Sequence, residues 1–463
     1  MSSKTTKISY KFCLIGIIGF CVFQHTPILA SREPVISVLI SKEKKIRIRS
    51  DGSIPLTING QNFLNKKVKG LILKQNNNNT TISFDENKHK IFNLNNQDKF
   101  EIKSIDRRGI WVGKKRYAGK LKIFVLNNEV LIVNVLGIEK YLSSVVGSEM
   151  PTKWPIEALK AQAIASRTYA LKQKGNSFYD IDSTNKNQVY IGLEARTYKT
   201  TRAVSTTKSL VLTYKNKLIN ALFHSSSGGM TENSEDVWKN KYSYLSSVKD
   251  FDKNNPKLHW SKKFSNDQLQ ELFPRIGGIK KIEILNVTNS GRVKDARIYG
   301  DYGSSEISGV DIRKRLNLKS TLVRFKFITR SNTKSNNVSD RTLGNNINSL
   351  EHKPLIYRVR SGDSLIRIAE QYNVNIDQIA SLNNIKDPSF IDINQELLIP
   401  KTPYDSSSSV EKVLLVSGLG SGHGVGMSQW GARYLAIKGE NAGSILKHFY
   451  KGVKIKPFKK YFL

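Results

Sequence analysis

Residues 141–171 read YLSSVVGSEMPTKWPIEALKAQAIASRTYAL. The second half of this stretch predicts a helix against which neighbouring elements can pack. Pro155 can occupy the first helical position, because its missing N–H would be unpaired there anyway. The residues that follow, through Lys174, are rich in alanine, which favours helix and lets neighbouring elements approach closely. Gly175 then ends the pattern. The sequence therefore predicts a buried, alanine-rich helix over residues 156–174.

Glu149 precedes this helix and stands beside Met150, Pro151 and Trp154. An apolar environment raises the pKa of a carboxyl group, so Glu149 could stay protonated near neutral pH and act as a general acid. The start of a helix acts in the opposite direction, because it favours the anion. Glu157, two residues inside the helix, is better explained as a first-turn partner of the helix dipole.

The chain is strongly basic: its 463 residues include 74 Lys and Arg against 38 Asp and Glu, a formal charge of +36. This balance excludes an acidic halophile-type surface. It favours a polyanionic partner, which leaves nucleic acid, an anionic membrane face or a cell wall.

The first thirty residues indicate which of these partners to expect. Lysines precede an apolar run from Phe12 to Phe23, and a small residue, Ala30, stands before Ser31, which predicts a signal peptide at 1–30. We therefore expect an exported protein, in the periplasm or cell wall, with no nucleic acid as a partner. An uncleaved leader is the alternative, and it would be the only contact with a membrane.

The rest of the chain predicts a β-rich α+β protein, with further helices around residues 266–272 and 429–438. Residues 31–114 show short strand patterns and no motif that indicates a role. The expected segments are a β-rich N-terminal segment at 31–114, a first domain part at 115–328, a linker at 329–353, a compact unit at 354–402, a linker at 403–409 and a second domain part at 410–463.

The compact unit contains YRVRSGDSLIRIAEQYNVNIDQIASLNNI…INQELLIP over residues 357–400. This stretch resembles the LysM module, which implies a βααβ fold and binding of glycans that contain N-acetylglucosamine. Asn394 stands where the family usually has Gly, and Asn can also adopt the left-handed conformation. The resemblance implies that glycan is bound by the loops on either side of the helices, through Gly362, Asp363, Ser364, Leu365, Asn384 and Ile391.

A second glycine-rich pattern, GLGSGHGVGMSQWGA, covers residues 418–432. Dense glycine lets backbone approach a ligand closely, and the absence of a Lys-Ser/Thr ending argues against a phosphate-binding loop. His423, Ser428, Gln429 and Trp430 offer hydrogen-bonding groups and a stacking face that suit a sugar. A plain turn before a helix is the alternative.

Four blocks in order, SEMPTKWPIEALKAQAIASRTYAL, HSSSGGMT, EDVWKNKYSYLSSVKD and GHGVGMSQWGARYLAIKG, resemble the SpoIID/LytB family over residues 115–328 and 410–463. Sporulation members of that family are lytic transglycosylases that cleave peptidoglycan glycan strands stripped of peptides, and other members are described as enhancers of wall amidases. The resemblance implies a catalytic Glu149 and assigns the arginine of the family's helix to Arg167. The candidate substrate-binding residues are His224, Ser226, Ser227, Gly228, Thr231, His423, Ser428, Gln429 and Trp430.

One acid is enough for this reaction. Ordinary glycosidases need two carboxylates, whereas a lytic transglycosylase uses the C6 hydroxyl of its substrate, so one carboxyl group can serve as acid and then base. Arg167 directly against Glu149 would lower the pKa of that carboxyl. We therefore expect Arg167 either to clamp the substrate, for example the lactyl carboxylate of N-acetylmuramic acid, or to pair with another carboxylate. A hydrolase would instead need a base, for which Asp180, Asp182 and Asp236 are candidates.

No metal or other cofactor is expected. Some sporulation members of the family carry Cys and His zinc ligands shortly after the helix, but residues 179–190 contain neither. Both cysteines, Cys13 and Cys21, lie in the leader, so the exported chain has no thiolate ligand and no disulfide. His224 and His423 lack the spacing of a metal site.

Three functions remain open from the sequence. The first is a lytic transglycosylase whose partner is the peptidoglycan glycan strand. The second is a non-catalytic enhancer that binds the wall and a cell-wall amidase. The third is a structural wall protein in which Glu149 is a packing residue.

Overall fold

The computed structural model describes residues 33–459 except 61, 77–78, 127–128, 176–177, 331–354, 361, 373, 375, 386 and 400–410. The predicted signal peptide at 1–30, the linker at 403–409 and all but two residues of the linker at 329–353 lie outside the described residues. Within the described part, no helix is long and apolar enough to cross a membrane. The described residues combine many strands with shorter helical segments, and the predicted β-rich α+β class is confirmed.

The first hundred described residues are β structure. Their alternating apolar and polar side chains bury one face of each strand, as in Lys120–Leu126, where every second residue is buried. The strands are β1 (Val35–Ser41), β2 (Lys45–Ser50), β3 (Leu56–Gly60), β4 (Phe63–Val68), β5 (Gly70–Asn76), β6 (Asn79–Phe84), β7 (Asn87–Leu94), β8 (Lys99–Lys103), β9 (Ile110–Val112), β10 (Lys115–Tyr117), β11 (Lys120–Leu126) and β12 (Glu129–Gly137).

The central segment contains the predicted alanine-rich helix, which spans Ile156–Lys172 with Pro155 as its N-cap. A second helix precedes it and ends on Glu149. Single 3-10 turns occur at Leu193–Ala195 and, further on, at Pro274–Ile276. The elements are α1 (Ile138–Glu149), α2 (Ile156–Lys172), β13 (Ile181–Asp182), α3 (Tyr198–Thr206), β14 (Leu210–Tyr214), β15 (Lys217–Leu218), β16 (Phe223–His224) and α4 (Ser234–Val237).

A second unit with its own hydrophobic core follows; its core residues run from Phe264 to Leu318 and include Leu414 and Val416. The helix predicted at 266–272 is present. The elements are β17 (His259–Phe264), α5 (Asn266–Leu272), β18 (Lys281–Val287), β19 (Val293–Gly300), β20 (Gly303–Ser308), α6 (Gly309–Arg315) and β21 (Val323–Arg330).

The LysM segment has the expected βααβ order: β22 (Leu355–Arg358), α7 (Leu365–Tyr372), α8 (Ile376–Leu382) and β23 (Glu396–Ile399). Its core is separate from the other two. After it, β24 (Glu411–Leu419) returns to pair with β17 and β21, and the chain ends with β25 (Met427–Ser428), α9 (Gln429–Ile437), α10 (Ala442–Phe449) and β26 (Lys454–Pro457).

Two large sheets carry the main body. The seven-stranded sheet has the order β13-β1-β12-β11-β8-β3-β4, and the six-stranded sheet has the order β10-β9-β2-β5-β6-β7. One hydrophobic core extends from Ile36 through α1 and α2 to Val453. The antiparallel pairing of β1 with β12 joins the residues on either side of the boundary expected at 114/115.

The position of α1 depends on Gly147, because a Cβ there would overlap the carbonyl oxygen of Ala195. We expect Gly147→Ala to destabilise the fold by about 1–3 kcal/mol through overpacking, measured by urea unfolding. Gly443→Ala, in α10, is the matched control, because its Cβ would meet nothing closer than 3.1 Å. Equal stabilities for the two variants would contradict this packing.

Candidate active-site cleft

Two segments about two hundred residues apart meet in a short parallel pairing, Phe223 with Met427 and His224 with Ser428. Next to it, Ser226 and Ser421 exchange backbone hydrogen bonds of 3.0 and 2.8 Å. The blocks HSSSGGMT and GHGVGMSQWGA thus form one structure. Gln429, the first residue of α9, follows this pairing directly and faces α1.

Glu149 is the last residue of α1 and is half-buried. Its Oε1 accepts a 2.7 Å hydrogen bond from the backbone N–H of Val189, and its Oε2 is 3.4 Å from Nε2 of Gln429. Oε1 is thus firmly held as an acceptor, which leaves Oε2 as the oxygen that can carry a proton.

Burial raises the pKa of Glu149 to about 6, although the bonds from Val189 and Gln429 oppose the rise. The end of α1 acts in the same direction as burial, because the C-terminus of a helix disfavours an anion. The sequence indicates only the start of the next helix near this carboxyl group, whereas the structure places Glu149 at the end of α1. A carboxyl group with this pKa is suited to general acid catalysis near neutral pH.

The carboxyl group faces a cleft of about 380 Å³ between the main body and the second unit. Among its described lining residues Glu149 is the single carboxylate. The lining side chains and backbone come from Glu149, Tyr169, Asn185, Lys186, Asn187, Val189, Leu222, Phe223, His224, Ser225, Trp238, Arg313, Ser421, Gly422, His423 and Gln429.

The loop that contacts Glu149 is fixed on α2 by side-chain amides. Asn187 donates to the hydroxyl of Tyr169 at 3.0 Å, and buried Gln188 donates to the carbonyl of Ser166 and accepts from Tyr141. These bonds place the N–H of Val189 against the carboxylate.

The two histidines line the cleft side by side, with ring centroids 5.5 Å apart. Nδ1 of His224 is 3.2 Å from the carbonyl of Val425, and its buried Nε2 has no partner among the described residues. Burial, followed by the nearby charges, lowers the pKa of His224 well below its ordinary value and that of His423 to about 4. Both rings are therefore neutral at the pH at which Glu149 titrates.

The predicted serine and threonine ligands lie inside the fold and not in the cleft. Ser226 and Ser227 donate to Asp252 and Asp250, and the N–H of Gly228 donates to Asp252 at 2.7 Å. Buried Thr231 accepts from the N–H of Val248, and Ser428 caps α9 by accepting from Gly431. Sequence alone could not separate these roles, since hydroxyl groups serve turns and caps as readily as sugars.

Trp430 packs edge-on against Trp154, with 4.8 Å between the ring centroids, and the guanidinium of Arg433 lies 5.1 Å from the Trp430 centroid.

The glycine-rich loop needs glycine for its backbone geometry. Gly424 and Gly426 have φ of 85° and 74°. A Cβ at Gly426 would overlap the carbonyl of Leu222, so this glycine permits close approach of protein backbone.

Arg167 does not reach the cleft. Its buried guanidinium makes two hydrogen bonds of 2.9 and 2.6 Å to Glu139, at the opposite end of α1 from Glu149, and a third of 3.1 Å to the carbonyl of Leu210. The structure thus supports the second expected role, pairing with another carboxylate, over a substrate clamp.

The candidate bases of a hydrolase also lie outside the cleft lining. Asp180 accepts from the N–H and hydroxyl of Ser37 at 2.8 and 2.7 Å, Asp182 accepts from the N–H of Thr184, and Asp236 from Asn233. Within the described residues no group of three or more His, Cys, Asp or Glu could hold a metal. Residues 179–190 offer neither thiolate nor imidazole and do not fit a zinc site of the Cys/His type.

In the LysM unit, Arg358 pairs with Glu396, so the loop after β22 and the loop before β23 leave from the same end of the sheet. Asp363 accepts from Tyr357 and from the N–H of Arg360, both at 2.7 Å, while Leu365 is buried. Positive φ values occur at three loop residues: 90° at Gly362, 54° at Asn384 and 72° at Asn394. The value at Asn394 agrees with the expectation that Asn replaces Gly there.

Two further predicted ligands lie in the same loops. Ser364 caps α7, and half-buried Ile391 lies in the second loop. Glycan binding by these loops stays a prediction.

Sequence analysis missed several cleft residues. Asn185, Lys186 and Asn187 belong to a stretch that suggests no role once zinc ligands are absent, and Trp238 lies in a family block without an assigned role. Arg313 belongs to no motif. Its basic, helical neighbourhood gives no indication that it lines the same cleft as Glu149.

Two family models and several known proteins match parts of this chain. Residues 126–214 match the family described as Stage II sporulation protein (SpoIID), and residues 357–400 match the LysM domain. The chain is 28% identical over 348 residues to an uncharacterized protein of Brachyspira hyodysenteriae, which covers 74% of this chain and 73% of that protein.

Two relatives from Bacillus subtilis (strain 168) have names that describe a role. The amidase enhancer is 28% identical over 318 residues, which is 68% of this chain and 40% of that protein. Stage II sporulation protein D is 28% identical over 344 residues, which is 70% of this chain and 75% of that protein. The resemblance to the SpoIID/LytB family with an inserted LysM module is confirmed. The chain is a cell-wall-related protein that carries a SpoIID domain and a LysM domain, and the latter associates it with peptidoglycan.

The raised pKa of Glu149 predicts a pH-dependent stability. The folded chain holds this proton more tightly than the unfolded chain, whose carboxyl titrates near 4.5, so stability is lost as pH rises from 4.5 through about 6. Removing the carboxylate with Glu149→Gln should therefore stabilise the protein by about 2 kcal/mol at pH 8 and leave it unchanged at pH 4. Chemical denaturation at both pH values measures this.

Glu157→Gln is the matched control. Partial burial acts to raise the pKa of Glu157, but the bonds from Lys160 and Ala442 leave it lowered. This variant should lose stability at pH 8, the opposite sign. A Glu149→Gln difference that is equal at pH 4 and pH 8 would contradict the raised pKa.

Arg167→Met should destabilise the protein by about 3–5 kcal/mol, because it leaves Glu139 without its buried partner. Glycan affinity of the folded fraction should be unchanged, since the guanidinium does not line the cleft. Thermal unfolding and glycan binding, measured on the same preparation, separate the two effects. Loss of affinity at unchanged stability would restore the substrate-clamp role.

Proposed function

We propose that this protein is a lytic transglycosylase that cleaves the bond between N-acetylmuramic acid and N-acetylglucosamine in peptidoglycan glycan strands. The observation that carries the proposal is a single carboxyl group, Glu149, with its pKa raised to about 6, on the wall of an open cleft whose described lining holds no second carboxylate. A hydrolase of the usual kind needs two carboxylates about 5–10 Å apart.

In the proposed reaction, protonated Glu149 donates its proton from Oε2 to the bridging oxygen as the C1–O bond breaks. The C6 hydroxyl of the same muramic acid residue then bonds to C1 and returns a proton to Glu149. The products are a 1,6-anhydro end and a free C4 hydroxyl, and no water is consumed. The bond from Val189 to Oε1 holds the carboxyl group in place during both transfers.

The neutral histidines and Trp238, which also line the cleft, suit an uncharged sugar. Burial keeps His224 and His423 unprotonated, and the exposed ring of Trp238 lies 5.2 Å from that of His423. Aromatic and imidazole faces of this kind stack on sugars and supply hydrogen bonds. The LysM unit holds the enzyme on the same polymer.

A non-catalytic enhancer is the second candidate, since the relative named amidase enhancer matches 68% of this chain. In that case the cleft binds glycan without cleaving it, and the protein raises the activity of a wall amidase. Export to the periplasm or cell wall suits both functions.

Mass spectrometry of peptide-free glycan strands tests the proposal. Wild type and Glu157→Gln should produce anhydro-ended fragments, and Glu149→Gln should lose about 10²–10⁴-fold in rate. Reducing-end products would overturn the transglycosylase and indicate a hydrolase. Absence of cleavage with glycan binding intact, together with faster release of stem peptides by an added amidase, would favour the enhancer.

A further inference from the structure

One basic residue of the cleft has no acidic partner. Arg313 projects from α6 of the second unit and is half-buried, and its Nε donates to the carbonyl of Leu318 at 3.3 Å. Among the described residues no carboxylate lies within 4.0 Å of its guanidinium, whereas Arg167 has Glu139 and Arg292 has Glu232. An unpaired charge out of water costs free energy, so a site of this kind favours an anionic ligand.

The surroundings of Arg313 reinforce this preference. Its charge contributes to lowering the pKa of both cleft histidines, so it lies near them without a hydrogen bond to either. Exposed Lys186 lines the same cleft. With Glu149 protonated for catalysis, the described lining holds two cations and no anion.

We propose that Arg313 binds a carboxylate of the glycan strand, namely the free lactyl carboxylate of an N-acetylmuramic acid residue. The proposal rests on the transglycosylase function of the same cleft. N-acetylglucosamine carries no charge, so the lactyl group is the one acid of a strand without peptides. A planar guanidinium can bind a carboxylate through two parallel hydrogen bonds.

Peptide attachment converts this carboxylate into an amide, which is neutral and cannot form the same pair of bonds. The family resemblance implies a substrate stripped of peptides, and Arg313 is the residue of this chain that would impose that preference. Lys186 cannot make this distinction as sharply, because an exposed ammonium is a hydrated point charge. Arg167, the residue first considered for the lactyl group, has its donors occupied inside the fold.

The test is a binding measurement that the LysM unit cannot obscure. Residues 354–402 contain no tryptophan, whereas Trp238 lines the cleft, so quenching of tryptophan fluorescence reports the cleft and not the LysM groove. The probes are a tetrasaccharide of alternating N-acetylglucosamine and N-acetylmuramic acid with free lactyl groups, and the same sugar with these groups as methylamides. All variants carry Glu149→Gln, so that nothing is cleaved.

Arg313→Gln should weaken binding of the free acid by about 10- to 100-fold, the range for a charge-assisted bond, and change binding of the amide less than threefold. Arg313→Lys should fall between. Lys314→Gln, an exposed charge on the same helix, is the matched control and should change neither. Equal effects of Arg313→Gln on both sugars would overturn the inference.

Two further readouts distinguish a failure of the role of Arg313 from a failure of the proposed transglycosylase function. Unfolding midpoints of the variants exclude loss of fold as the cause, because a misfolded protein loses both sugars. Selective binding of the free acid by a wild-type protein that never cleaves strands would overturn the transglycosylase while leaving Arg313 as the carboxylate site. Cleavage of both sugars at equal rates by wild type would overturn the role of Arg313 alone.

Discussion

The cleft depends on one long-range contact, the parallel pairing of Phe223 and His224 with Met427 and Ser428. It joins segments on either side of the second unit and the LysM unit. Without it, Gln429 and His423 would have no fixed relation to Glu149. The buried hydrophobic core supplies the free energy, since both flanks of the pairing, including Val425 and Met427, belong to it.

Buried charges reinforce this pairing. Asp250 and Asp252 together hold the backbone and hydroxyl groups of the loop from Ser226 to Gly228, and burial beside Asp252 raises the pKa of Asp250 to about 6. Arg292 donates to the carbonyl of Ser227, with Glu232 3.7 Å from its Nε. Ser226 and Ser227 of this motif therefore support the cleft wall from inside the fold, and His224 beside them lines the cleft.

Much of this architecture could be predicted because short stretches of contiguous sequence determine its helices and strands. Alanine content and Pro155 gave the helix at 156–172, alternation gave the strands, and the LysM segment carried its fold in about 45 contiguous residues. Helix α1 was missed because Gly147 and three serines weaken its helical pattern. The pairing of β1 with β12, across the expected boundary at 114/115, could not be predicted because strand pairing is long-range and leaves no trace in a single strand.

Of the candidate active-site cleft, mainly Glu149 could be predicted from the sequence. Glu149 was singled out from its apolar neighbours and from the SEMPTKWPIEALKAQAIASRTYAL block, but its position at the end of α1 and the bonds from Val189 and Gln429 that oppose the effect of burial could not be predicted. Arg167 and Arg313 show the limit most clearly. Both lie on helices, and only the fold reveals that the first is paired with Glu139 and that the second lines the cleft.

One ionisable group of the protein carries the proposed chemistry, and the pH dependence of kcat/KM for strand cleavage tests this most directly. We predict a single ionisation of the protein near the pKa of Glu149, about 6, with activity falling roughly tenfold per pH unit above it because the acid is lost. A bell-shaped profile whose acidic limb reports a second essential carboxylate would contradict it. So would activity that stays constant through pH 8.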